Sequence, residues 1–166
     1  QAVRAEGIPA TFLILGTGER FLHQQLTELS GEFTGFFDAR LEYNEELAHT
    51  IYAGSDFLLM PSRVEPCGLN QMYAMRYGTM PIVRAVGGLA DTVRDLSQPG
   101  GYGILFEEYS ISAALESIQK AVDYYNRERQ YLENMKRLMK LDFSWERSSG
   151  NYVELYASLI KRTGTS

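Results

Sequence analysis

Short apolar runs alternate along this chain with longer stretches in which apolar side chains recur every three or four positions. Phe12, Leu13, Ile14 and Leu15 form an unbroken run closed by Gly16-Thr17-Gly18, which predicts a buried strand over 11–15. Phe21, Leu22, Leu26 and Leu29 then fall at helical spacing and predict a helix over 19–29. A second short strand is expected over 33–37. Asn44 is placed to cap a helix whose inner face holds Leu47, Ala48 and Ile51. The run at 56–60 predicts a third strand, stopped by Pro61, and a helix is expected from 68 to 77, closed by Gly78. A fourth strand at 81–83 leads into Gly87-Gly88 and a short helix over 90–96. The last strand is expected at 103–106, before helices over 112–126, 129–139 and 144–160.

Strands that alternate with helices imply an α/β fold, a Rossmann-like doubly wound parallel sheet with helices on both faces. No repeat, low-complexity stretch or linker divides the chain, so one domain over 1–166 is expected, with 144–160 as its C-terminal helix. The residues before Thr11 read as the tail of a helix ending at Gly7-Ile8-Pro9. A doubly wound domain normally opens with a strand before such a helix, and that strand and its following loop are expected to be absent.

Composition narrows the function classes. At 166 residues, with 45% hydrophobic and 22% charged positions, the chain can build a core without disulfides or metals. A net charge of -5 gives no electrostatic reason to expect nucleic acid or an anionic membrane as partner. The basic group Lys136, Arg137 and Lys140 lies within a helical pattern and reads as a solvated face. The single cysteine, Cys67, excludes an internal disulfide and offers no metal-ligand spacing, so no metal site is expected and a cytoplasmic setting is. No apolar run reaches the length of a bilayer span.

In an open parallel sheet, ligands bind beyond the carboxyl ends of the strands. The exit of the third strand is the richest: Glu65-Pro66-Cys67-Gly68-Leu69-Asn70-Gln71 sets a carboxylate just before a glycine expected to open a helix. Backbone N–H groups at Gly68, Leu69 and Asn70 would attract phosphate there. Glu65 would repel phosphate, so it is expected to face a neutral or cationic part of the ligand, and a sugar ring fits.

That string, followed by Tyr77-Gly78-Thr79-Met80-Pro81-Ile82-Val83 and Gly87-Gly88-Leu89-Ala90-Asp91-Thr92-Val93, resembles the glycogen and starch synthase family. The similarity runs from Leu13 to Tyr152. The family's members are retaining glycosyltransferases of the GT-B architecture, and the resemblance makes this chain the C-terminal, nucleotide-sugar-binding domain of such an enzyme. It implies transfer of glucose from ADP-glucose or UDP-glucose to the non-reducing end of an α-1,4-glucan. No cofactor beyond the donor is implied. The acceptor would be held by an N-terminal domain outside this chain.

By the same resemblance Glu65 is the catalytic carboxylate on the glucose, and Cys67, Gly68 and Leu69 form the sugar and phosphate loop. Asn70 stands there too, at a position where a threonine is frequent. Tyr43 matches an aromatic that stacks on the base, Gly16 and Gly18 match the turn beside the nucleotide, and Gly87-Gly88 matches a turn at the cleft edge. Val86 stands where a threonine is common, and Tyr73 where many GT-B enzymes carry a second glutamate. The family's Arg and Lys on the diphosphate belong to the loop expected to precede Gln1, so the chain alone is expected to bind nucleotide weakly and transfer nothing.

Plainer readings stand beside these. Cys67 can be a small buried hydrophobe, Tyr43 a packing residue, and each glycine pair a simple turn. Asp91 suits a helix terminus. His23 and His49 sit in helical segments and read as structural, and Trp145, Tyr152, Leu155, Tyr156 and Leu159 read as core at helical spacing, although the resemblance implies that this helix crosses toward the other half of the enzyme and leaves some of its apolar surface exposed here. A GT-B transferase of another substrate class and a non-catalytic nucleotide-binding or interaction module remain the alternatives.

Overall fold

The computed structural model describes residues 1–163. Among them are the strands β1 (Phe12–Leu15), β2 (Phe37–Arg40), β3 (Phe57–Met60), β4 (Met80–Arg84) and β5 (Ile104–Phe106). The helices are α1 (Ala2–Ala5), α2 (Arg20–Glu32), α3 (Glu45–Gly54), α4 (Asn70–Arg76), α5 (Gly87–Thr92), α6 (Ile111–Tyr125), α7 (Glu128–Leu138) and α8 (Trp145–Thr163). All strand pairs are parallel. β1 pairs with β2, Phe12 opposite Phe37, and β4 lies between β3 and β5, with Phe57 opposite Met80 and Ile82 opposite Ile104. No strand among the described residues pairs with the other side of β1 or of β3.

The core follows from that division. Met75, Met80, Ile82, Ile104, Phe106, Ala121 and Leu138 are buried together around β4 and β5, and Met60, Val83, Leu89 and Val93 fill its other face. The apolar Met80–Val83 run of β4 is covered on both faces, as a central parallel strand must be. The expectation that β1 is buried is not met: Leu13 and Ile14 remain 46% and 41% exposed. Among the described residues only β2 pairs with that strand, and its side chains stay partly exposed to solvent.

Local signals hold where they are self-contained. The Asn44 side chain accepts the Leu47 N–H at 2.9 Å, and Ser110 caps α6 by accepting from Ala113 at 3.2 Å. Three boundaries move. The second strand begins at Phe37 rather than 33, because α2 runs on to Glu32 and the chain turns through Gly35 at φ 77°. The helix expected from Gly68 begins at Asn70, because Gly68 has φ 68°, outside helical backbone. The helix expected over 90–96 instead starts at Gly87 and stops at Thr92.

Asp95 explains that last stop. It bridges to Gly103, and its carboxylate accepts N–H groups from Ser97 at 2.9 Å and Leu105 at 2.8 Å, and the Ser97 hydroxyl at 2.6 Å. Burial pushes this carboxyl upward, but the hydrogen bonds from Ser97 and Leu105 outweigh it and hold the group below its ordinary 3.8. A depressed folded-state value adds stability above the unfolded pKa, and that stability is lost as pH falls through the folded value. Asp95→Asn is therefore expected to lower stability at pH 7 by about 1 kcal/mol, screening included. The gap from wild type should close below about pH 4, read as melting temperature against pH. A gap of the same size at pH 3 and pH 7 would refute the ionic role.

The C-terminal helix corrects another reading. Trp145 is 82% exposed, and Tyr152, Leu155, Tyr156 and Leu159 are all exposed rather than core, because among the described residues α8 has little contact with the other elements. Arg137, read as part of a solvated basic face, donates to the Gly101 carbonyl and to Asn134. No helix among the described residues is long and apolar enough to cross a membrane.

Candidate functional site

The carboxyl ends of β3, β4 and β5 converge on the loop that follows β3. Pro61 ends that strand, and residues 62–69 carry the chain to α4. Two groups hold this loop from opposite sides. Arg84, the last residue of β4, donates from Nε to the Glu107 carbonyl at 2.9 Å and from one terminal nitrogen to Ser62 and Arg63 carbonyls at 3.4 and 3.1 Å. Its guanidinium also lies 5.7 Å from the centre of the Tyr109 ring, with Arg63 at 6.0 Å from the same ring. One side chain thus ties the exits of three neighbouring strands.

Gly87-Gly88 holds the other side by close backbone approach. The Gly88 N–H reaches the carbonyls of Glu65 and Pro66, each at 3.2 Å. A Cβ on Gly87 would lie 2.0 Å from the Glu65 carbonyl oxygen, and one on Gly88 would lie 1.8 Å from that of Cys67. Only glycine allows this contact. The pair is therefore more than a turn at the cleft edge: it is the seat on which the Glu65–Cys67 backbone rests.

Glu65 itself is half-buried, with Ser62 Oγ donating to its Oε2 at 3.4 Å. Among the described residues it makes no ion pair, so its charge is left to act on whatever stands before it. The N–H groups of Gly68, Leu69 and Asn70 donate to no protein acceptor among the described residues. α4 has seven residues, so these amides act as hydrogen-bond donors more than as the pole of a long helix dipole. An acidic side chain and a set of open donors thus lie within one short loop.

The other expected residues lie within this loop or at the exits of β1 and β2. Cys67, Leu69 and Asn70 are exposed, which removes the reading of Cys67 as a buried hydrophobe, and Gly68 is buried. Tyr43 is 83% exposed, just before the Asn44 cap of α3, and packs against nothing that would give it a core role. Gly16 and Gly18 follow β1 with open space where a Cβ would stand, so steric need does not explain either glycine. Asp91 is exposed in α5.

Several functional groups escaped the sequence reading. His23 comes back from α2 to accept the Gly18 N–H through Nε2 at 3.0 Å, fixing the turn after β1. Gln71, fully buried, donates to the Cys67 and Gly68 carbonyls and to Thr92. Arg84 directly after an apolar strand was the one visible signal, a cation at a strand exit. His49 does have a structural setting: Nδ1 lies 3.1 Å from the Tyr77 hydroxyl, among the rings of Tyr52, Tyr73 and Tyr77.

The chain is 50% identical over 150 residues to the glycogen synthase of Flavobacterium johnsoniae, covering 90% of this chain and 32% of that protein. It is 46% identical over 159 residues to that of Thermodesulfovibrio yellowstonii, covering 93% and 31%. It thus spans about a third of the length of the curated relatives it matches. Among solved structures it superposes on the catalytic domain of starch synthase IV from Arabidopsis thaliana, bound to ADP and acarbose, with a TM-score of 0.85. That match has 33% identity and covers 95% of this chain and 34% of the other. The expected fold class, the C-terminal domain of a GT-B glycosyltransferase, is the one observed. The family model of the glycosyl transferases group 1 matches residues 2–138, across the five strands and the loop bearing Glu65, and the chain belongs to that family.

Proposed function

We propose that this chain is the donor-binding domain of a glycogen synthase, which moves glucose from ADP-glucose or UDP-glucose to the non-reducing end of an α-1,4-glucan with retention. The observation that supports it most is the Glu65 carboxylate, free of any ion pair, in one loop with the amides of Gly68, Leu69 and Asn70, which have no protein acceptor among the described residues. Transfer needs negative charge stabilised on the departing diphosphate while positive charge grows at the anomeric carbon. Preorganised N–H donors serve the first need and Glu65 the second. Exposed Tyr43 is proposed to stack on the nucleotide base, with Gly16 and Gly18 beside the nucleotide and Cys67 near the sugar.

The exchange replaces one acetal carbon–oxygen bond by another with no net redox change, so no cofactor beyond the nucleotide sugar is proposed. The acceptor glucan and further cations on the diphosphate are proposed to be held outside these 166 residues, in keeping with relatives about three times as long. A cytoplasmic setting is part of the proposal, in keeping with the lone Cys67. The test is incorporation of labelled glucose into a glycogen primer by the full-length gene product. Incorporation is expected from both donors and faster from ADP-glucose, whereas the 166-residue chain by itself is expected to give none. No incorporation by the full-length protein from either donor would defeat the reading.

A further inference from the structure

Gln71 is an amide with no exposure at all, inside the first turn of α4, on the side of the loop away from solvent. Its Nε2, with two hydrogens, reaches three acceptors: the Gly68 carbonyl at 3.0 Å, the Cys67 carbonyl at 3.3 Å and Thr92 Oγ1 at 2.9 Å, so one hydrogen is shared between two of them. The two carbonyls can only accept, which sets the orientation of the amide. Thr92 Oγ1 passes the chain on by donating to the Gly88 carbonyl at 2.5 Å. The Gly88 N–H in turn binds the carbonyls of Glu65 and Pro66, and the Tyr102 hydroxyl holds the Thr92 carbonyl at 2.9 Å.

These bonds close a ring. It runs from the Glu65 backbone to Gly88, through Thr92 to Gln71, and back to Cys67 and Gly68. The Glu65 carboxylate and the Gly68 amide belong to the same loop, and the ring spans that loop from beneath. A free loop of this length would sample many separations between the acid and the amides. The ring removes that freedom at both ends at once. Gly68 is part of the arrangement, since a Cβ there would lie 2.6 Å from Gln71 Oε1. Networks of this kind hold their members more firmly than isolated bonds because each bond polarises the next.

We propose that Gln71 and Thr92 are positioning residues of the donor site: their hydrogen bond sets the separation between the Glu65 carboxylate and the amides of Gly68, Leu69 and Asn70. The inference rests on the donor-site reading of Glu65 given above. Neither residue touches the donor; each acts through the loop. Displacing an electrostatic group by a fraction of an ångström lowers rate because its alignment with the transition state is lost.

The experiment is steady-state transfer to glycogen by the full-length gene product. Thr92→Val keeps shape and removes the hydroxyl, and is expected to lower kcat/KM for the nucleotide sugar about tenfold, mostly in kcat. Thr92→Ser restores the hydroxyl and is expected to return to within about twofold of wild type. In a Glu65→Asp background the same Thr92→Val change is expected to cost at most about twofold, because residues acting through one group are not additive. A merely structural role would instead lower the melting temperature and multiply in full with Glu65→Asp. Gln71→Met is expected to repeat the Thr92→Val loss; if it does not fold, Thr92→Val decides alone.

Wild-type kcat/KM in Thr92→Val, or full multiplicativity with Glu65→Asp, overturns the positioning role and leaves the donor site standing. Unimpaired transfer by Glu65→Gln removes the donor site itself, and the positioning role with it.

Discussion

Gly88→Ala is expected to lower the melting temperature of this domain by about 6–12 °C, corresponding to about 3 kcal/mol. The new Cβ would stand 1.8 Å from the Cys67 carbonyl oxygen, 2.4 Å from its carbon and 2.6 Å from the Cys67 Cα. All three are backbone atoms, so no rotamer change relieves the clash, and either α5 or the Glu65 loop must move. Overpacking of this kind costs roughly 1–3 kcal/mol. The shift would also break the Gly88 N–H bonds to Glu65 and Pro66, worth about 1 kcal/mol more. Gly16→Ala provides the control. Its Cβ would meet nothing within 4 Å, so its effect is expected to stay within about 0.5 kcal/mol. Equal melting curves for the two variants, read by calorimetry, would show that the close approach is not what selects glycine at position 88.

Glu65→Gln is expected to lower kcat for glucose transfer by about 10²–10³-fold, the loss typical of one preorganised electrostatic group. The donor KM is expected to change less than about threefold. The substitution keeps the size of the side chain and an oxygen that can accept from Ser62, and removes only the charge. An interaction that matters when positive charge develops on the sugar should appear in kcat and not in ground-state binding. The chemistry of the loop predicts the same separation: the open amides of Gly68, Leu69 and Asn70 are suited to the diphosphate whether or not Glu65 is charged. A large rise in KM with kcat untouched would mean that Glu65 only binds donor. Unchanged kinetics would favour a non-catalytic nucleotide-binding module.

Much of this is legible in the amino-acid sequence. The helix cap at Asn44, the buried run of β4, and the alternation that makes the sheet parallel are all readable from nearby residues. So is the Glu65 to Gln71 string, whose acid and open amides lie within one loop. Errors arose where an apolar run suited more than one element. Phe33 to Phe37 suits a strand as well as a helix end and a turn, and periodicity does not separate them. The apolar spacing of α8 and of β1 was correct as a pattern, but a pattern says which face is apolar and not what covers it. In both, much of that face is exposed to solvent.

By itself, then, the amino-acid order determined the class of fold, the helical and extended segments, and the one loop in which an acid precedes free donors. It did so because those features depend on contacts within a turn or a pleat. What tertiary structure alone decided is how that loop is held. Gln71 meets Thr92 across 21 positions of sequence, and Arg84 reaches Ser62 and Glu107 across 22 and 23. Gly88 meets the backbone of Glu65 and Cys67 only because β3 and β4 lie side by side. Such meetings are set by which strands become neighbours, and that depends on the burial of the whole core rather than on the residues that meet.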